Sequence, residues 1–133
     1  MRALLDAGHV HHGAARAWLA REGGAGWASC PITQNGCLRI LVHARYPRAR
    51  PIAVVADRLA EATAHPCHMF WPDDVSLLDS RRIDHARVHG ANRITDIYLL
   101  ALAVAHGGRL VTFDRSIVID AVRGASKDRL EVI

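Results

Sequence analysis

A chain of 133 residues, 50% hydrophobic and 23% charged, is long enough for one domain with a buried core, and its composition excludes a disordered polymer. No apolar run approaches the ~18 residues of a membrane span, and MRALLD lacks the apolar stretch of a secretory signal, so a cytoplasmic protein is expected. The formal charge is +4 and every cationic side chain except Lys127 is arginine, which suits a polyanionic partner because guanidinium matches phosphate in two-point geometry.

In chain order, residues 1–5 read as a short first strand closed by Asp6. The stretch HVHHGAARAWLAREGG then predicts a helix, with Val10, Ala14, Trp18 and Leu19 near one face and Gly23-Gly24 ending it. Residues 27–30 are a second short apolar segment followed by Pro31, and the helical spacing of Leu38, Leu41 and Val42 predicts a helix from about Thr33 or Gln34. Gln34 thus stands at a strand-to-helix junction. A proline-punctuated break carries Arg45, Arg48 and Arg50, and IAVVADRLAEAT over residues 52–63 reads as an amphipathic helix. Residues 68–71 predict a third strand and residues 75–88 another helix, with His85 and His89 at i, i+4 upon it.

The stretch GANRITDIYLLALAVAHGGRLVTFDRS carries the strongest pattern. Thr95 is placed to cap a helix starting near Asp96, Ile97, Leu100 and Val104 recur at helical spacing, and Gly107-Gly108 stops the helix. Residues 109–113 read as a buried parallel strand, so Asp114 falls just past its carboxyl end, where open α/β sheets bind ligands. A closing strand is expected over residues 130–133. Strands alternating with helices predict an α/β fold, a single domain over residues 1–133 with a mostly parallel central sheet flanked by helices.

Three acids, Asp6, Asp96 and Asp114, thus occupy strand-end or helix-start junctions. Brought together they repel, and a hard divalent cation is the natural neutraliser, one that can also activate water and stabilise phosphoryl charge. Cys30, Cys37 and Cys67 form no CxxC, and neither the His9, His11, His12 group nor the His85, His89 pair has a completing ligand at zinc spacing. No glycine-rich nucleotide motif follows the first strand, and aromatic content is only 5%, which disfavours a base-stacking surface.

The block ITDIYLLALAVAHGGRLVTFDRS, with MRALLD and WASCPITQNGCLRIL, closely resembles PIN-domain proteins over nearly the whole chain, most of all the VapC-type ribonuclease toxins of bacterial VapBC toxin–antitoxin pairs. The resemblance implies a Mg²⁺- or Mn²⁺-dependent RNA endonuclease with Asp6, Asp96 and Asp114 as metal-holding acids and Thr112 as a supporting hydroxyl. It further implies a VapB-type antitoxin and a homodimer, whose face the helices at 52–63 and 75–88 could supply. Two departures stand out. Gln34 occupies a junction that usually bears glutamate, and an amide brings no negative charge. The Asn-containing turn and apolar helix that follow the first aspartate in the family are missing after Asp6, so Leu-Leu-Asp fits either before or after such a segment. These departures leave a catalytically weak RNA- or protein-binding module as the alternative.

Overall fold

Pro31 sits in the first turn of a helix that follows directly on a strand, where its missing amide costs no hydrogen bond. A computed structural model describes residues 1–133, in two compact units, Met1–Asp73 and Asp74–Ile133.

The first unit contains α1 (Arg2–Leu5), α2 (His12–Glu22), β1 (Trp27–Ser29), α3 (Pro31–Val42), α4 (Ile52–Thr63) and β2 (His68–Phe70). Strands β1 and β2 are parallel, Trp27 beside His68 and Ser29 beside Phe70. A reciprocal cap starts α3: the Cys30 amide donates to Thr33 Oγ1 at 2.9 Å, and the Cys30 side chain accepts from the Thr33 amide. Cys37 and Leu41 of α3 pack on Val55 of α4, with Met1, Leu5 and Tyr46 around them. Burial of Val55 and Leu59, four residues apart, defines the inner face of α4 and leaves Ile52 and Val54 exposed.

The second unit contains α5 (Ile94–Ala105), β3 (Leu110–Thr112) and β4 (Leu130–Val132). Helix α5 buries Ile97, Tyr98 and Leu100 through Ala103, so it is enclosed on more than one side. It ends as its sequence predicts: Gly107 adopts φ +69, its amide donates to Val104 O, and the Gly108 amide donates to Ala103 O. Strands β3 and β4 are parallel, Thr112 beside Val132.

Several expectations are corrected. Residues 2–5 are helical, not a strand; an apolar run this short is compatible with either state, and the Leu4 and Leu5 amides both donate to Met1 O. In α2 the buried residue is Ala15, whereas Val10 is exposed. Residues 75–88 form turns and a 3₁₀ segment (His85–Arg87) rather than an α-helix. There, Ser76 Oγ accepts from the Leu78 amide and Asp79 Oδ1 from the Arg81 amide, so side chains compete for groups a helix would use. His85 and His89 therefore do not share a helix, and only α4 remains of the two helices expected to offer a dimer face. Thr95 lies inside α5, because a 3₁₀ turn (Ala91–Arg93) runs straight into the helix and makes Arg93 the flanking residue. In place of a single central sheet there are two separate two-stranded parallel sheets. No helix is long and apolar enough to cross a membrane.

Candidate metal centre

In the second unit Asp96 occupies the first turn of α5, where the orphan amides of the helix favour negative charge. Asp114 lies two residues beyond the last residue of β3. The Asp114 amide donates to Thr112 Oγ1 at 3.0 Å, so Thr112 anchors the backbone that presents the carboxylate.

The two carboxylates are in electrically different states. Burial, and then the charge of Asp114, push the Asp96 carboxyl above the usual range, with Arg93 opposing. No hydrogen bond from the protein reaches the Asp96 carboxylate. Asp114 is well served by comparison: Ser116 donates to Oδ1 through its hydroxyl and, at 2.7 Å, through its amide. Arg93 donates to Oδ2 at 3.2 Å and also to the Ser116 hydroxyl. These donors, the Ser116 hydroxyl foremost, hold Asp114 below the ordinary carboxylate range.

This donor set fits a hard divalent cation. A half-buried carboxylate with no donor of its own, destabilised by a second carboxylate, gains from a positive charge that oxygen can ligate. No group of three or more His, Cys, Asp or Glu side chains is arranged for a metal. A pair is nevertheless the set by which Mg²⁺ is commonly held, with waters and substrate phosphate completing its sphere.

The other two expected site residues belong to the first unit. Asp6 follows a helix rather than a strand, which corrects its expected place. It is only 8% exposed, and its oxygens are taken: Tyr46 donates its hydroxyl to Oδ2, Arg48 Nε donates to Oδ1 at 3.0 Å, and the Gly8 amide donates to Oδ1 at 3.1 Å. Tyr46 and then Arg48 lower the Asp6 carboxyl to about 2. Gln34 donates through Nε2 to Ser29 Oγ at 3.0 Å, and that hydroxyl lies 2.8 Å from His68 Nε2. The second unit thus brings Asp96, Asp114 and Thr112 together, while Asp6 and Gln34 keep separate partners in the first.

Arg93 and Ser116 escaped the sequence reading. Ser116 had a signal, since Asp-x-Ser is a spacing at which an aspartate accepts from the amide two residues on. Arg93 had none beyond standing three residues before Asp96.

A sequence model of the PIN domain matches residues 1–123. The chain belongs to the PIN-domain family. It is 52% identical over 131 residues to Ribonuclease VapC44 of Mycobacterium tuberculosis, covering 98% of this PIN-domain chain and 92% of the relative. Ribonuclease VapC39 of the same organism is 39% identical over 134 residues, covering 93% and 96%. Ribonuclease VapC38 is 38% identical over 119 residues, covering 86% and 80%.

Proposed function

We propose that this PIN-domain chain is an RNA endonuclease that depends on Mg²⁺ or Mn²⁺, with residues 1–133 acting as one nuclease domain and Asp96 and Asp114 holding the ion. The carrying observation is Asp96, half-buried, without a hydrogen-bond donor and destabilised by Asp114. RNA as substrate rests on the relatives, which are named ribonucleases.

A divalent ion bound here would supply Lewis acidity to a water and to the phosphodiester oxygens. The protein's own part is preorganisation. Ser116 and Arg93 keep Asp114 ionised and fix its rotamer, and Thr112 fixes its backbone. The Arg93 guanidinium adds positive charge beside the pair, where a phosphate would approach. Asp6 takes a different task, since its oxygens already accept from Tyr46, Arg48 and Gly8.

As a toxin of this kind the chain acts in the cytoplasm, where its RNA is, and is held inactive by a VapB-type antitoxin. A homodimer would cover Ile52 and Val54, which α4 turns outward. Gln34 favours a second reading, a module that binds RNA or protein without cutting, because its amide is committed to Ser29 and brings no charge.

Incubating RNA with the chain in Mg²⁺, in Mn²⁺ and in chelator separates the two. Discrete fragments formed only with metal are expected; RNA that the chain holds bound in chelator and leaves uncut under all three conditions would favour the binding module.

A further inference from the structure

The loop between α3 and α4 gathers His43, Arg45, Arg48 and Arg50 without a single acidic residue. All four are exposed, and Arg45 and Arg50 have no acid partner. The loop is nonetheless well built. The Tyr46 amide donates to His43 O at 2.8 Å, the Ala49 amide to Tyr46 O at 3.0 Å and the Arg50 amide to Leu41 O at 3.0 Å. Tyr46 packs against the Cys37, Leu41 and Val55 core and directs its hydroxyl to the buried Asp6.

Arg48 completes the arrangement. Its Nε and Nη2 face the two oxygens of Asp6, at 3.0 and 3.5 Å, which leaves the Nη1 donors uncommitted on a side chain about half exposed (49%). The guanidinium lies over Gly8 so closely that a Cβ there would sit 1.9 Å from its Cζ and Nη1. Any side chain at position 8 would therefore push the Arg48 guanidinium out of this place. One charge of the loop is fixed in direction by a buried carboxylate, and two flank it with nothing to neutralise them.

We propose that Arg45, Arg48 and Arg50 form a docking site for the RNA backbone that works without metal, with Asp6 and Gly8 positioning Arg48 for a phosphate. This rests on the reading that RNA is the substrate. Guanidinium pairs with phosphate and carboxylate alike in two-point geometry, so it is the RNA substrate, together with a loop of like charges that holds no acid, that favours a phosphate backbone over an acidic peptide. Asp6 then serves the nuclease as a positioning residue in place of a metal ligand.

The test is anisotropy of a fluorescein-labelled 12-nucleotide single-stranded RNA with the full chain in chelator, titrated at several salt concentrations. The Arg45→Ala/Arg48→Ala/Arg50→Ala variant is expected to bind at least about tenfold more weakly, with a log–log salt slope smaller by about 2, the value for three phosphate contacts on a single strand. An Arg16→Ala/Arg21→Ala/Arg58→Ala control removes equal charge elsewhere in the unit and should change binding by less than about threefold, within the nonspecific electrostatic background. Asp6→Asn and Gly8→Ala should each match Arg48→Ala, and circular dichroism will show whether they fold; Arg48→Ala carries the test if they do not. Parent-like affinity and slope in the triple loop variant would overturn the proposal, as would loss of polyglutamate binding with RNA binding intact. Fragment formation in Mn²⁺ is scored separately, so a chain that docks RNA through this loop without cutting it refutes the nuclease and not the docking site.

Discussion

Asp114 and Asp96 stand in an unequal relation: the charge of Asp114 helps to raise the Asp96 carboxyl, while Asp114 itself is held low by Ser116 and Arg93. In the metal-free protein, ionised Asp96 is therefore a strained group. A raised carboxyl makes the folded state bind its proton more tightly than the unfolded chain does. The metal-free protein accordingly loses stability as pH rises from the unfolded value near 3.8 through the raised folded value. Asp96→Asn should raise the melting temperature in chelator at pH 7, and added Mn²⁺ should stabilise the parent far more than the variant. Calorimetry with and without Mn²⁺ measures both; a variant that melts lower in chelator would contradict the relation.

Asp6 has the opposite sign. Its carboxyl is lowered from 3.8 to about 2, so its contribution is full above the unfolded value and disappears as pH falls through that window. After allowance for the solvent that reaches the half-exposed Arg48, Asp6→Asn should cost roughly 1–2 kcal/mol at pH 7. Urea denaturation of parent and variant at pH 7, 5, 3 and 2 should show the difference closing only below about pH 4. A difference independent of pH would contradict the ion pair.

Ser116→Ala removes the largest contribution that keeps Asp114 low, leaving the backbone donor and Arg93. RNA cleavage should fall about tenfold, the usual scale for losing one orienting partner of a metal ligand. The acid limb of the pH–rate profile should also move to higher pH. A lower rate with an unmoved profile would mean that Ser116 acts only on packing.

Two glycines separate conformation from space. Gly107 has φ +69 and room for a Cβ, so Gly107→Ala should cost about 1 kcal/mol from backbone strain alone. Gly36 lies within α3 with equal room, so Gly36→Ala should stabilise by about 0.5–1 kcal/mol. Chemical denaturation of both variants checks the signs.

Where one pattern dominates, the sequence states the structure. Helix α4 could be read because Val55 and Leu59 repeat at one turn and Pro51 bars an earlier start. The helix–turn–strand run from Asp96 to Asp114 could be read because Gly107-Gly108 divides two distinct periodicities. Residues 75–88 misled: Leu77, Leu78 and Ile83 look helical, but Leu78 is exposed and Ser76 and Asp79 bond to the backbone nearby. At residues 2–5 composition could not separate helix from strand, and with the helix Asp6 lost its strand-end place. Of the partners of Asp114 only Ser116 stands at a telling spacing, whereas the bond from Arg93 spans 21 residues and those from Tyr46 and Arg48 to Asp6 span 40 and 42, and no short-range pattern announces them.

Mn²⁺ binding, followed by electron paramagnetic resonance of the free ion, probes the Asp96–Asp114 pair most directly, with the parent set against Asp96→Asn and Asp114→Asn. The parent should bind Mn²⁺ and each variant should bind at least about tenfold more weakly while remaining folded. Equal Mn²⁺ affinity in all three proteins would show that this pair does not hold the metal.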